Sequence, residues 1–492
     1  MRANRRNPFL SAMGSVILAA CLYGPSLIVA QTTAPFENKL PSPESAKKTT
    51  PFQASNGQIP PKSQYSGPLF RLSKDWPQKP LPPMSVVPWR EAIHGQTINQ
   101  QNAEAYVEAL KAYVSANARQ LVLHYDTWDA SKAKWYNEPW LGSKREAIHG
   151  TYGAGDFAAS VFQGTGLKVE FQTDVLTYYD QRAAYTIFRL WGASAMKPDV
   201  RTANSQFEEG AVIVKAAFFA SADPKQPTNW WDAMQGAAEW PLYIGVPQFA
   251  TPPNPPQVFP AYLAQFDIIV KDTASSPKTG WVFSTLVYDK DAPGSDAWDK
   301  MVPLGAMWGN DPDVTDPTKP LTENWINPNA PKYSTQTLGW GGRLSGPNDG
   351  AQNNISVNGT LMNNAPDSSC MSCHGPSEWN VQKHKQESFI LPSFQNATPP
   401  PSFQLCGPGS SYICSPAPAS AAWMQWFQSR PGTQPQDAGS AALDYDEVFA
   451  FKALPLWWAA VGPPGQAAPT LLLPSHGQRY NQYTGAPLNP KQ

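Results

Sequence analysis

The stretch AVIVKAAFF at residues 211–219 decides the predicted fold class, because β-branched and aromatic side chains favour a strand. Three further runs of this kind occupy residues 184–191, 266–270 and 281–288, each bounded by Gly, Pro or Asp. Their apolar and polar residues alternate only imperfectly, as expected for strands that are buried on both faces. The sequence therefore predicts an antiparallel β body over residues 166–300, in a β-rich α+β fold.

The segments on either side of this body have different patterns. Within residues 86–165, apolar side chains recur at helical spacing from 99 to 118, which predicts one amphipathic helix followed by loops. Residues 301–492 contain much Pro, Asn and Gly and are expected to form long ordered loops around a functional motif. Helical patterns return near the end of the chain, at residues 417–428 and 443–460, the second interrupted by a proline.

The amino terminus has the layout of a secretory signal. Three arginines within residues 2–6 precede a long apolar stretch without charge, and a Pro-rich polar segment follows. We therefore expect residues 1–30 to be a signal peptide and the mature protein to be periplasmic. Residues 31–85 are rich in Pro, Ser, Gln and Lys, which predicts a flexible leader. Cleavage before Cys21, leaving a lipid anchor there, is the alternative; the apolar run that follows Cys21 argues against it.

The charge balance excludes one class of function. The chain has 37 Lys and Arg against 38 Asp and Glu, and loss of residues 1–30 removes three arginines and no acid, leaving 34 against 38, or −4. This charge balance does not fit a protein that binds nucleic acid. The sequence also contains no run of basic residues with interleaved aromatic residues. After residue 30, no segment has the roughly 20 apolar residues that a transmembrane helix needs. We expect a globular mature chain with no transmembrane span.

The residues that carry chemistry are Cys370-Met371-Ser372-Cys373-His374. Two thiols separated by two residues can each add to one vinyl group of a haem, and the next histidine lies where its imidazole can reach the iron. The motif predicts one covalent haem c, bound through Cys370 and Cys373, with His374 as the proximal iron ligand. A thioredoxin-type dithiol and half of a zinc site are the alternatives.

The surrounding sequence favours haem over these alternatives. The residues before Cys370 are small, polar and typical of a loop, whereas a thioredoxin-type dithiol follows a strand. Cys406 and Cys414 do not form a second close pair at zinc-site spacing. They bracket a short loop instead, and in an exported protein this predicts a disulfide bridge between them.

Several stretches occur in the order found in a known family. FEEGAVIVK at residues 207–215, VKD at 270–272, TGWVF at 279–283 and then the Cys-x-x-Cys-His motif resemble cytochrome c′-beta and its relatives with a lysine-crosslinked haem. GRLSGP at residues 342–347 resembles a stretch that precedes the haem motif in larger uncharacterised bacterial cytochrome-c-like proteins. The resemblance covers about residues 170–375 and implies a β-sheet monohaem protein with an open or weakly occupied distal side. No crosslinking lysine stands out, and the interval before the haem motif is longer than in the small cytochromes.

The group on the other face of the iron would decide the function. A methionine sulfur there would fill the last position and give simple electron transfer. Met424 is the first candidate for this distal ligand and Met362 the second, although core packing between aromatic side chains is the alternative for Met424. An open site would instead suit a haem enzyme, an oxidoreductase or a gas binder, acting on a small nitrogen or oxygen species. The sequence identifies no acid–base groups near the motif, which favours the electron carrier.

A repeated hexapeptide and the pair of motif cysteines support two weaker hypotheses. His94 and His149 end two copies of REAIHG, at residues 90–95 and 145–150, and a pair of equivalent histidines facing iron or substrate is one interpretation. Because no surrounding repeat is in register, loop histidines bonded to backbone are favoured. A secreted β-rich binding protein, with a disulfide between the two cysteines of the Cys-x-x-Cys-His motif, is the non-haem alternative.

Overall fold

The fold is known from a computed structural model. It describes residues 53–462, except 74, 158, 163, 194, 248–253, 347–353, 358–359, 364–368, 387–402 and 406–412. Within these residues the protein is a mostly antiparallel β body with a few helices, which confirms the predicted β-rich α+β class.

Nine strands form the main sheet. They are β1 (Trp135–Tyr136), β2 (Tyr152–Phe157), β3 (Phe171–Asp180), β4 (Val212–Ser221), β5 (Glu239–Ile244), β6 (Gln257–Lys271), β7 (Trp281–Tyr288), β8 (Met301–Met307) and β9 (Asn324–Ile326). Their order is β1-β3-β4-β6-β7-β8-β9, with β2 also paired to β3 and β5 to β6. The strands predicted at residues 211–219, 266–270 and 281–288 are confirmed as β4, part of β6, and β7.

Three small two-stranded sheets lie in the carboxyl-terminal third of the described chain. β10 (Asn354–Val357) pairs with β11 (Thr360–Asn363), β12 (Glu378–Trp379) pairs with β15 (Ala441–Ala442), and β13 (Phe403–Leu405) pairs with β14 (Ile413–Pro416). The pairing of β12 with β15 joins the chain just after the Cys-x-x-Cys-His motif to a segment about sixty residues further on.

The centre of the main sheet is buried on both faces, as predicted. Along β4, Val212 and Val214 belong to one hydrophobic cluster, whereas Ile213 between them belongs to a second cluster. Every residue of β7 is buried. A strand with protein on both faces needs apolar side chains at successive positions, which explains why polar residues do not alternate with apolar ones here.

Helices cover both faces of the sheet. They are α1 (Pro88–Ala92), α2 (Ala103–Leu123), α3 (Ala130–Ala133), α4 (Gln181–Trp191), α5 (Thr202–Ser205), α6 (Cys370–His374), α7 (Ala421–Trp426) and α8 (Leu454–Val461), with a π-helical turn at Val448–Ala453. The predicted amphipathic helix is confirmed as α2, whose buried side packs in the first cluster. The two helical patterns near the end correspond to α7 and to the π turn with α8. Among the described residues, no helix combines the length and apolar character needed to cross a bilayer.

The prediction of a strand at residues 184–191 is wrong, because these residues belong to helix α4. The carboxylate of Asp180 accepts a hydrogen bond from the backbone N–H of Ala183 at 2.7 Å and caps the helix. Ala184, Ile187 and Leu190 are buried at a spacing of three residues, which is a helical repeat. The β-branched and aromatic residues of this segment suggested a strand, but the cap and the tertiary contacts decide its structure.

The sheet also extends beyond the predicted body at residues 166–300. β1 and β2 precede it and β8 and β9 follow it, in regions predicted to be loops. These strands are short or contain Gly and Pro, so their sequences carry little strand signal. Of the leader predicted over residues 31–85, the described residues 53–73 and 75–85 have no helix or strand. Phe70 and Trp76 are buried there, and the Phe70 N–H donates to the Ala147 carbonyl at 2.9 Å.

A buried ion pair joins the second face of the sheet to the carboxyl-terminal segment. The Lys271 ammonium at the end of β6 donates to the Asp444 carboxylate at 2.7 Å, and the Trp281 indole N–H donates to the same oxygen at 2.8 Å. The other oxygen accepts from the backbone N–H of Phe207 at 2.8 Å. Asp444 therefore fixes the segment around it to three separate elements.

We predict that Asp444→Ala lowers the free energy of unfolding by about 3 kcal/mol or more, because it leaves the Lys271 ammonium buried without its charge partner. Urea denaturation of the purified protein measures this change. Asp199→Ala is the control: Asp199 pairs with Arg201 in a largely exposed ion pair, so its loss should cost less than about 1 kcal/mol. Equal small losses in both variants would contradict the role given to Asp444.

Candidate functional site

The Cys-x-x-Cys-His residues form the short helix α6, whose first turn is held by a capping box. The Ser369 hydroxyl oxygen accepts from the Ser372 N–H at 3.0 Å, and the Ser372 hydroxyl oxygen accepts from the Ser369 N–H at 2.7 Å. Ser369 also donates its hydroxyl to the side chain of Asn310, and the Cys370 N–H bonds to the Leu344 carbonyl at 2.9 Å. Two loops of the body thus fix the position of the first cysteine.

His374 is oriented by the segment that Asp444 anchors. Its Nδ1 lies 2.9 Å from the backbone carbonyl of Tyr445. Since a carbonyl only accepts, Nδ1 carries a proton in this contact, and Nε2 is the ring nitrogen that points away from it. Asp444 and Tyr445 have φ values of 50° and 69°, a left-handed turn that brings the carbonyl to the ring. Phe283 of β7 packs edge-on against the imidazole, with centroids 4.9 Å apart.

The Nε2 side of His374 faces a carboxylate. Nε2 lies 3.5 Å from Oε2 of Glu447, the residue just before the π turn, and about one fifth of each side chain is exposed, 21% and 20%. The second oxygen of Glu447, Oε1, is buried and has no hydrogen-bond partner within the described residues. A ligand-competent nitrogen and an incompletely bonded carboxylate therefore lie together at this point.

Lys215 of β4 brings a positive charge to the same region. It pairs with Asp267 of β6 at 3.3 Å and interacts electrostatically with Cys370 and Glu447. Burial alone would lower the pKa of Lys215, but the nearby negative charges, Asp267 first, raise it above its ordinary value. The Lys215 side chain is 36% exposed.

Lys452 of the π turn is the second lysine here. Its ammonium lies 4.6 Å from the centre of the Tyr152 ring, a cation–π contact. Burial lowers the pKa of Lys452 to about 8, against the opposing attraction of Glu447. Glu447, Lys215 and Lys452 thus form a charged group next to Cys370 and His374.

The second cysteine has an aromatic environment. Cys373 packs against a cluster formed by Trp340, Trp423, Trp426 and Phe427. The buried guanidinium of Arg343 lies in this cluster, 4.5 Å from the Phe427 ring centre, and donates to the carbonyls of Asn310 at 2.8 Å and Asp311 at 2.7 Å. Arg343 belongs to the stretch GRLSGP noted in the sequence, so this stretch shapes the wall beside Cys373.

The structure does not bring every predicted residue to this site. Met424 is 40% exposed on α7, whereas its neighbour Trp423 is buried in the aromatic cluster beside Cys373. Helical periodicity explains the difference, because adjacent residues point about 100° apart. The side chain of Met362, on β11, lies outside the described residues. Distal ligation by either methionine stays a prediction.

The predicted disulfide also lies outside the described part. Cys406 is not described, and only the backbone of Cys414 is, in β14. β13 and β14 pair with Leu405 opposite Ile413, the residues next to the two cysteines. For the zinc alternative, the described residues contain no group of three or more His, Cys, Asp or Glu side chains placed to hold a metal ion.

The two REAIHG copies have different environments. His94 is exposed just after α1, whereas His149 is buried and stacked on Trp240 with centroids 4.2 Å apart. Its Nδ1 lies 3.0 Å from the Pro241 carbonyl. Burial lowers the pKa of His149 to about 3, so its ring is neutral in the folded protein. His149 is a core residue bonded to backbone, which agrees with the favoured interpretation.

This burial predicts an acid-dependent loss of stability. Below about pH 6.5 the unfolded chain protonates His149, while the folded chain does so only near pH 3. The free energy of unfolding therefore decreases as pH falls through this window, by up to about 1.4 kcal/mol per pH unit. We expect His149→Phe to make this decrease shallower in urea denaturation between pH 7 and 5. The matched substitution His94→Phe should leave it unchanged; equal slopes in all three proteins would refute the assignment.

No family model matches the chain, and neither a curated protein nor a solved structure matches it. The resemblance to β-sheet monohaem cytochromes therefore rests on the short sequence motifs alone.

Proposed function

We propose that this chain is an exported c-type cytochrome, with one haem bound through Cys370 and Cys373 and with His374 as its proximal iron ligand. The observation that carries the proposal is the bond from His374 Nδ1 to the Tyr445 carbonyl, which leaves Nε2 for a metal. Histidines that ligate metals almost always have such a partner on their other nitrogen. A bound haem would supply one-electron redox chemistry, and we propose periplasmic electron transfer as the function.

The surrounding residues suit this role. The first turn of α6 is rigidly capped, which would hold the two thiols at a fixed spacing. The Tyr445 carbonyl would keep the imidazole in one orientation and make it a more basic ligand. Phe283 on one side and the aromatic cluster beside Cys373 on the other would limit the access of water.

A second candidate function is supported by the charged group. Glu447 lies on the Nε2 side of His374, with Lys215 and Lys452 close by. Such side chains are able to donate and accept protons next to a reacting molecule. They are the acid–base groups that the sequence did not identify, and they favour a haem enzyme or gas binder for small nitrogen or oxygen species as the alternative.

We predict that the full chain, expressed with the haem-attachment machinery, carries one haem in pyridine haemochrome analysis and in its intact mass. Cys370→Ser with Cys373→Ser should abolish the adduct, whereas Cys414→Ser, outside the motif, should retain it. A chain without residues 2–30 should also lack haem, because attachment takes place outside the cytoplasm. A colourless wild-type protein without a mass adduct would refute the proposal.

Carbon monoxide distinguishes the two candidate functions. An electron carrier with both axial positions filled by protein should not bind carbon monoxide when reduced, so its Soret band should not move. A shift of that band in the wild-type protein would reject the carrier and support the enzyme or gas binder. If Met424 is the distal ligand, Met424→Ala should create carbon monoxide binding; an unchanged spectrum in this variant would exclude Met424.

A further inference from the structure

Buried polar side chains accumulate on one side of the charged group described above. They lie between the start of the 3₁₀ turn Pro139–Lys144, strand β3, helix α4 and the segment before the π turn. We call them the Glu138 cluster; its members, none more than 5% exposed, are Asn137, Glu138, Arg145, Tyr179, Trp191 and Asp446.

The members of this cluster act on one another. The Arg145 guanidinium donates to the backbone carbonyl of Glu138, and the Trp191 indole lies close enough to affect the Glu138 carboxyl. Asp446 interacts electrostatically with Glu138, and Tyr179 interacts with both acids. The two carboxyl groups therefore share one buried environment with a cation and a phenol.

Polar atoms of this cluster are left without partners. Three of these atoms are buried and make no hydrogen bond within the described residues: Asn137 Oδ1, Glu138 Oε2 and Arg145 Nη1. One such atom typically costs about 1–3 kcal/mol, and native proteins contain few of them. Donors and acceptors occur together here, which fits a place where water and a mobile proton complete the bonding.

The cluster is connected to the candidate haem site. Asp446 is followed by Glu447, which faces His374 Nε2 at 3.5 Å. The carbonyl of Asp446 also accepts a hydrogen bond from the hydroxyl of Ser377 at 2.5 Å, three residues after His374. Glu447 acts electrostatically on Asp446 and Asp446 on Glu138, so a change of charge near His374 would affect Glu138 through these two acids.

We propose that the Glu138 cluster binds a proton when the haem gains an electron, which makes this cytochrome a coupled carrier of electrons and protons. This inference rests on the proposed function. A bound haem would accept one electron from a redox partner, and the Glu138 carboxylate would form an O–H bond with one proton from solvent, so that the interior would keep its net charge. Because linkage is reciprocal, proton binding in turn favours the reduced iron.

The groups that face Glu138 set the pH range of this coupling. Burial first, and then the negative charge of Asp446, raises the pKa of Glu138 to about 8, against the bonds from Trp191 and Trp140 and the charge of Arg145. Burial also raises the pKa of Asp446 to about 7. An added negative charge on the iron would raise these values further, so the Glu138 carboxyl is expected to take up its proton above about pH 8, where it is ionised before reduction.

Potentiometric titration of the haem-bearing protein between about pH 7 and 10 tests the proposal. The midpoint potential is expected to fall as pH rises, approaching 59 mV for each tenfold decrease in proton concentration if one proton accompanies one electron. Glu138→Gln should make the potential nearly independent of pH. Asp174→Asn is the matched control. Asp174, on β3, is a buried acid like Glu138, and its pKa is raised to about 7, but it does not belong to the Glu138 cluster.

Infrared difference spectra of the wild-type protein give an independent result, whether or not the Glu138→Gln variant folds. Reduction should add a carbonyl band of a protonated carboxylic acid that shifts in heavy water. A pH-independent potential in the wild type, an unchanged slope in Glu138→Gln, or no such band would overturn the inference. Absence of haem in the haemochrome assay refutes the proposed function, whereas a haem protein with a flat potential refutes only this coupling.

Discussion

The structure around the functional motif depends on the Asp444 carboxylate. The backbone of Asp444 has a left-handed conformation and its carboxylate is fully buried, and both features cost free energy. Hydrogen bonds offset this cost; they come from the Lys271 ammonium, the Trp281 indole and the Phe207 N–H. Because these donors belong to the β body, the segment that follows, with the Tyr445 carbonyl and the Glu447 carboxylate, is held rigidly relative to the sheet.

The body of the fold was predictable because its strands are buried on both faces. Apolar runs such as residues 211–219 are long and bounded by turn residues, so they indicate strands without knowledge of any partner. Helix α4 has a similar composition and was predicted wrongly, although its capping Asp180 and its three-residue spacing were visible in the sequence. Short strands such as β1 and β9 exist only because they pair with neighbours, and no local pattern predicts them.

The candidate site likewise contains some residues that the sequence reveals and others that only the fold brings together. The cysteines and His374 form a local motif that the sequence reveals directly. Tyr445 contributes only a backbone carbonyl, which any residue could supply, and it contacts His374 from 71 positions away. Glu447 and Lys215 are ordinary charged residues in sequence, and only the fold brings them to the motif. Arg343 is an exception, because the GRLSGP stretch that contains it is recognisable in the sequence, although only the fold shows its position among the aromatic side chains beside Cys373.

The π turn explains why two opposite charges reach the same place. Glu447 precedes this turn and Lys452 lies within it, five residues later. In an α-helix, residues five apart point in clearly different directions, because successive residues advance by about 100°. A π turn forms its hydrogen bonds between residues five apart, which brings such side chains closer to one face, and π turns occur frequently at functional sites. The electrostatic effect of Glu447 on Lys452 agrees with this geometry. The local widening of the helix therefore keeps Lys452 near Glu447, the acid that faces His374, whereas a regular helix with the same sequence would separate the two side chains.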